Sequence, residues 1–216
     1  MEKLTLKKKR MLLYFIEATQ KIIDQDGFDN VTIRKISTEA GYNSATLYNY
    51  YEDLDLLLQF ACVEYLITYQ NKLIRKIKNL TNPKEIYFET WILFSSECYS
   101  HPKVYYHLFF SKHKDKIHET FYRYLELFDI KYDFDTTKKV FSFITLPDLV
   151  ERHTILLESL AEQKLIEDTQ ISEKANMLVL IFESMLNSLR NNPESCSKED
   201  FINNIVTYSS ILLHLK

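Results

Sequence analysis

The sequence predicts an all-α protein, and three observations predict it. Apolar residues recur at helical spacing along almost all of the 216 residues. No segment alternates convincingly at period 2, and no Asn-Gly or Asp-Gly hairpin joins two β-rich runs. The chain also holds only two glycines, Gly27 and Gly41, at opposite ends of one short segment. Glycine serves where the backbone takes a positive φ, so these two mark places where helices stop and turn. Nine or ten helices are expected, and the apolar fraction of 46% is ample for their core.

The first helix carries Leu12, Phe15, Ile16, Thr19, Ile22 and Ile23 on one stripe and ends at Gly27. Thr32 is placed to N-cap a second helix that buries Ile33 and Ile36 and ends at Ala40-Gly41. Asn43 caps a third, expected over Ser44 to Tyr51. A long fourth helix, about Asp53 to Asn79, bears the stripe Leu58, Cys62, Tyr65, Tyr69, Leu73, Ile77 and Leu80. The punctuation then changes to proline. Asn82-Pro83-Lys84-Glu85 is a helix start with Pro at its first position. His101-Pro102 and Thr145-Leu146-Pro147-Asp148 open two more, and all four prolines read as helix starters. Ser197-Lys198-Glu199-Asp200 begins the last helix. Residues 130–146 read as loop, short helix or both.

Several function classes are disfavoured. No apolar run approaches the roughly 20 residues of a membrane span, and no signal peptide is expected. Cys62, Cys98 and Cys196 form no CxxC pair and read as reduced thiols of a cytoplasmic protein. The six histidines make no HExxH motif and no Cys/His ladder, so no metal, cofactor or catalytic role is expected. Glu97 and His101 are an i, i+4 pair without further ligands at recognisable spacing.

The segment between and after the glycines has the layout of a helix-turn-helix, a DNA-reading device. The second helix is expected to cross the phosphate backbone with Thr32 at its positive end. The third is expected to enter the major groove, packing through Ala40, Leu47 and Tyr51. Its other side offers Tyr42, Asn43, Ser44, Ala45, Thr46, Tyr48, Asn49 and Tyr50, small or hydrogen-bonding groups suited to base edges, thymine methyls and phosphates. Charge is permissive rather than favourable: net charge is −3, and residues 1–55 hold 8 Lys and Arg against 9 Asp and Glu. Lys7, Lys8, Lys9 and Arg10 form one basic cluster, with Arg34 and Lys35 on the second helix.

These residues resemble the N-terminal domain of the TetR/AcrR bacterial repressors. The resemblance runs from Phe15 to Leu57 through Gly27-Phe28, Thr32-Ile33, Ile36, Ala40-Gly41, Thr46-Leu47-Tyr48 and Tyr50-Tyr51. Departures are Tyr42 for Val, Asn43 for Ser, Ser44 for the common Lys, Ala45 for Gly, and Glu52 for a frequent Lys. Ser44 and Glu52 each remove a phosphate contact. The resemblance implies a DNA-binding domain over residues 1–52 and a helical effector-binding and dimerisation domain over 53–216.

In the larger part, the stripes of the last two helices are too wide for one packing face. The candidates there are Leu178, Phe182, Met185, Leu189, Ile205, Tyr208 and Leu212. By residues alone a buried core pair and a dimer interface are equally good readings; the resemblance favours a homodimer through a four-helix bundle. Aromatics crowd helices four to six, and core filling explains any one of them. With the resemblance, Cys62, Tyr65, Tyr69, Trp91 and Phe109 are taken as lining a pocket for a small-molecule effector. The function so implied is a ligand-responsive transcriptional regulator, a repressor, binding a palindromic double-stranded operator as a homodimer. The alternative is a helical interaction protein of the same fold with weak or lost DNA binding.

Overall fold

The computed structural model describes residues 5–131 and 143–215, so most of the segment of ambiguous character lies outside the described residues. Among the described residues there are ten α-helices and no strand. They are α1 (Leu6–Asp26), α2 (Ile33–Ala40), α3 (Ser44–Tyr48), α4 (Leu54–Ile77), α5 (Pro83–Ser100), α6 (Pro102–Phe110), α7 (Ile117–Leu127), α8 (Leu149–Glu162), α9 (Ile171–Asn191) and α10 (Lys198–Leu213). Short 3-10 turns cover Phe28–Asn30, Lys114–Lys116 and Phe143–Thr145. No described helix is long and apolar enough to cross a membrane.

The chain divides into two compact units, and the division falls inside α4 and α6. One comprises Met1–Glu64 and His107–Tyr132, the other Tyr65–Tyr106 and Asp133–Lys216. The first unit thus takes in residues well beyond the helix-turn-helix. In it the α1 stripe is buried, with Phe15 and Ile16 fully enclosed. The second unit packs α5 against α8 and α10, and α9 against α8 and α10.

Helix starts follow the capping residues. Thr32, Asn43, Asn82, Asp148 and Ser197 each accept a hydrogen bond from a backbone amide of the first turn. Pro83 and Pro102 open α5 and α6. Pro147 precedes the cap of α8, but Pro193 starts nothing: it follows the end of α9, where a proline also fits because no helix continues.

Three further expectations are corrected. The third helix is five residues long and stops at Tyr48. The amides of Tyr50 and Tyr51 both turn onto the Leu47 carbonyl, at 3.0 and 3.1 Å, which closes the helix before Tyr51. Ile33 is half-buried rather than core, as is Ala40. The fourth helix is not a single stripe, for Leu57, Gln59, Ala61, Val63 and Gln70 are buried beside Cys62, Tyr69 and Leu73.

Helix ends show a feature that the glycine count hides. α2, α7, α8 and α10 all close with the paired 6→1 and 5→2 backbone bonds of a Schellman motif. Only α2 has glycine at the left-handed position, Gly41 with φ 76°. The equivalent positions of the others hold Asp129, Lys164 and His214, with φ of 52°, 56° and 52°. The residue after each is apolar: Tyr42, Ile130, Leu165 and Leu215.

Candidate nucleic-acid interface

Phe15 is the hub of the three-helix head. Around its buried ring lie Tyr42 at 5.8 Å, Tyr50 at 6.2 Å and Tyr51 at 6.4 Å between ring centroids. The Tyr51 hydroxyl donates to the Leu12 carbonyl at 2.9 Å, tying the segment after α3 to α1. Burial pushes this hydroxyl well above its ordinary pKa, so it remains a donor. Leu47 inserts from α3 and is fully buried, as is Ile36 from α2. A five-residue helix cannot hold itself in water, so this packing is what orients it.

All ten expected DNA-facing side chains lie on accessible surface. Thr32, Arg34, Tyr42, Asn43, Ser44, Ala45, Tyr48 and Asn49 are exposed, while Thr46 and Tyr50 are half-buried. They are not equally free. The Thr32 hydroxyl accepts the Lys35 amide at 3.2 Å. Asn43 Oδ1 accepts both the Thr46 amide at 2.8 Å and the Thr46 hydroxyl at 3.0 Å. Tyr42 stacks on Tyr14 at 6.2 Å and fills the apolar position of the α2 Schellman motif. Ser44, Ala45, Tyr48 and Asn49 have no side-chain partner among the described residues, and Tyr48 is 53% exposed.

The electrostatics differ from a bare count of charges. Asp26 is paired with Lys35 and Glu39 with Lys21. Lys9 Nζ donates to the Glu126 carbonyl at 3.2 Å, at the C-terminal end of α7, where a cation suits the helix dipole. Lys7, Lys8, Arg10 and Arg34 have no charged partner among the described residues.

Glu52, which departs from the usual basic residue, meets Lys116 Nζ. The neighbouring Asp53 receives Lys112 Nζ at 2.6 Å, His113 Nε2 at 2.9 Å and the Leu56 amide at 2.8 Å, so it caps α4 as well. Partial burial works to raise the Asp53 pKa. The bonds from Lys112, Leu56 and His113 outweigh it and hold the carboxyl well below the usual range. Glu52, Asp53 and His113 bring three metal-capable atoms within 4.8 Å of one another, but both carboxylates are already held by lysines. The cluster is an ion-pair network.

The sequence reading also missed the buried polar ties of this unit. Gln20 Nε2 donates to the Tyr124 hydroxyl at 2.9 Å, joining α1 to α7. Gln59 donates to the His113 carbonyl at 2.9 Å and accepts from Thr120 at 2.8 Å. The only signal was a glutamine at an interior helical position, whose partners lie far along the chain.

The expected effector residues fall in both units. Cys62 and Phe109 are buried in the first unit; Tyr69 and Trp91 are buried in the second, with Tyr65 half-buried there. Tyr69 and Trp91 both neighbour Phe94, at 5.1 and 6.5 Å. Burial raises the Cys62 thiol pKa, as expected of an inert core cysteine.

Of the expected dimer residues, Leu178, Phe182, Leu189 and Ile205 are buried within their own chain, because they form the faces α9 and α10 turn toward α5 and α8. Met185 and Leu212 are half-buried, and Tyr208 is 41% exposed. The exposed apolar residues of these helices are instead Met177, Leu180, Tyr208 and Ile211, the last 67% exposed. The wide stripes therefore comprise a buried face and an exposed apolar one.

Comparison with known proteins agrees with this geometry. Residues 15–59 match the family model of bacterial regulatory proteins, tetR family. The HTH-type transcriptional regulator HbdR of Aromatoleum sp. (strain CIB) is 33% identical over 70 residues, 32% of this chain and 31% of that protein, so the match spans about a third of its length. Among solved structures, the TetR-family repressor FadR of Thermus thermophilus, in complex with lauroyl-CoA, superposes with a TM-score of 0.63 at 13% identity, over 94% of this chain and 93% of that one. FadR of Bacillus subtilis, in complex with stearoyl-CoA, gives 0.57 at 14% identity, over 93% and 97%. These structures share the whole-chain fold, and the motif is shared over the helix-turn-helix. Residues 15–59 are thus a helix-turn-helix of the tetR type of bacterial regulatory proteins, and the chain as a whole has the fold of the TetR-family structures.

Proposed function

We propose that the chain is a cytoplasmic, ligand-responsive transcriptional repressor that binds a palindromic operator as a homodimer and leaves it when a small molecule enters the second unit. The observation that carries this reading is the exposed face of Ser44, Ala45, Tyr48 and Asn49, without side-chain partners among the described residues, on a short helix and its C-cap that Tyr51 ties to Phe15 and Leu12. Such a face has no role in holding the head together, whereas it suits a major groove. Lys7, Lys8, Arg10 and Arg34 supply the non-specific phosphate attraction.

Homodimerisation is supported by Met177, Leu180, Tyr208 and Ile211, large apolar side chains left exposed on two adjacent helices. A second copy set against them forms a four-helix bundle. Two reading heads then address half-sites one helical turn apart, roughly 34–36 Å centre to centre. The effector acts by preferring a dimer whose heads do not match that spacing. α4 starts directly after the head and runs on to Tyr69, so one continuous helix leads from the reading segment to the aromatic residues. Two FadR proteins of this fold bind acyl-CoA, which supports a ligand with an apolar body but not its identity.

The second reading, an interaction protein with weak DNA affinity, draws on Glu52 and the near balance of charge in the head. A mobility-shift assay with DNA upstream of the chain's own gene separates them. Salt-sensitive, sequence-selective binding with a symmetric footprint supports the repressor. Equal, feeble binding to all sequences supports the alternative.

A further inference from the structure

Arg152 on α8 is 2% exposed in the interior of the second unit. A guanidinium stays charged at every physiological pH, so burial without a counter-anion is costly. No carboxylate pairs with it among the described residues. Of the three acids on facing α5, Glu97 has both oxygens on Lys72 Nζ at 2.8 Å, Glu89 pairs with Lys76, and Glu85 is exposed. What surrounds Arg152 is aromatic. Its guanidinium carbon lies 5.0 Å from the Tyr69 ring centre and 5.9 Å from that of Phe94. Nη2 donates to the Tyr69 hydroxyl at 3.1 Å, and Nη1 has no hydrogen-bond partner among the described residues. Cation–π contact offsets part of the desolvation but supplies no negative charge.

A second set of unmatched atoms lies on the same pair of helices. His153, fully enclosed, stacks on Trp91 of α5 at 4.2 Å. Its Nδ1 sits 2.7 Å from the Leu149 carbonyl and must carry the proton, which leaves Nε2 as an acceptor with no donor. Burial lowers the His153 pKa to about 4, so the ring is neutral. Ser95 Oγ, next to Phe94 in the chain, is also buried and unpaired among the described residues. Buried polar groups in folded proteins are almost always matched, so this grouping at one helix pair calls for a partner that is not protein.

We propose that Arg152 is the anion receptor of the effector site, and that the effector is a small organic monocarboxylic acid with an apolar body. One cation beside a neutral histidine balances one negative charge. A phosphate dianion would need a second buried cation, and among the described residues of the helix pair Arg152 is the one buried cation. The carboxylate takes Arg152 Nη1 in a charge-assisted bond, and the body lies against Trp91, Phe94 and Phe182, whose rings are mutual neighbours. A hydroxyl or amide N–H on that body is matched by His153 Nε2. The inference rests on the ligand-responsive reading above and names the class of its ligand.

The test uses the full-length protein, thermal unfolding and calorimetry with benzoate, octanoate and dodecanoate, their primary amides, and dodecanoyl-CoA. At least one free acid is expected to raise Tm while its amide does not. Arg152→Met is expected to raise Tm without any acid, because it removes an uncompensated charge, and to weaken the acid by about a hundredfold or more. Arg152→Gln, which keeps donors and loses charge, is expected to behave likewise. The proposal is overturned if both variants melt below wild type without acid, if amides bind as well as acids, if none of these acids shifts Tm, or if dodecanoyl-CoA binds wild type and Arg152→Met equally. A parallel mobility shift keeps the two readings apart. An acid that binds through Arg152 yet leaves the protein on DNA sinks the repressor reading alone. DNA release by a ligand indifferent to Arg152→Met sinks this one alone.

Discussion

The Asp53 carboxylate meets His113 Nε2 at 2.9 Å while its other bonds cap α4 at the Leu56 amide and hold Lys112. One side chain therefore starts the long helix and anchors the turn before α7 within the same unit. Asp53→Asn keeps an acceptor for the cap and removes the charge; Asp53→Ala removes both. Alanine is expected to cost about 1 kcal/mol more than asparagine, the usual worth of an N-cap, measured by urea unfolding. The pH dependence has a definite sign. Because folding lowers the Asp53 pKa, its stabilisation is full above the unfolded carboxyl value near about 4 and is lost as pH falls below it. Wild type and Asp53→Asn should thus converge in stability as the solution is acidified. A difference that stayed constant with pH would show that the charge is not involved.

The two glycines should respond differently to the same substitution. Gly41 has φ 76° and ψ 25°, a left-handed conformation that asparagine tolerates, whereas Gly27 at φ 88° and ψ 158° lies in a region almost confined to glycine. A Cβ meets nothing within 4 Å at either site, so the difference is purely one of backbone. Gly41→Asn is expected to lower Tm slightly, and Gly27→Asn by about 1–3 kcal/mol of stability. Equal losses would contradict the backbone assignment.

Glycine introduced elsewhere should stabilise. Lys164 closes α8 in the left-handed conformation at φ 56°, a strain of about 1 kcal/mol for a residue with a Cβ. Lys164→Gly is expected to recover a part of that, offset by the greater freedom of the unfolded chain. A clear drop in the urea midpoint would show that the side chain does more than occupy a turn.

DNA affinity should separate the basic residues near the N-terminus. Alanine at Lys7, Lys8 or Arg10 should weaken all DNA sequences alike and reduce the slope of log K against log salt by about 0.9 for each phosphate that is no longer neutralised. Lys9→Ala should leave the slope unchanged, since its ammonium is on the Glu126 carbonyl. Tyr48→Phe, which removes an exposed hydroxyl, should lower operator affinity several-fold, about 1 kcal/mol, at constant Tm.

The two faces of the last helices can be told apart by sedimentation. Ile211→Glu places a charge on an exposed apolar surface and is expected to give a folded monomer. Phe182→Ala empties a fully buried site beside Trp91 and Phe94 and is expected to cost about 3–5 kcal/mol of stability. If Ile211→Glu left a dimer intact, the exposed stripe would have another purpose.

Much of this protein was determined by short-range information. Capping by Thr32, Asn43, Asn82 and Ser197, the turns at Gly27 and Gly41, and the buried stripe of α1 all depend on residues within a helical turn or two of one another. A periodic pattern states such relations directly, and the helix-turn-helix motif is built almost wholly from them. The accessible face of α3 was legible for the same reason, since a face not needed for packing is left over once the stripe is assigned.

What the tertiary structure alone decided depends on residues far apart in the chain. Lys112 and Lys116 neutralise Asp53 and Glu52 from about sixty positions away, so a count of charges over residues 1–55 misjudged the head. Phe182 and Ile205 look like interface residues until α5 and α8 are known to cover them; an apolar side chain does not state which of two surfaces removes it from water. Arg152 gave no sign in the sequence of being unusual. It is burial among Tyr69 and Phe94, with no carboxylate paired to it among the described residues, that turns an ordinary arginine into a charge awaiting a partner.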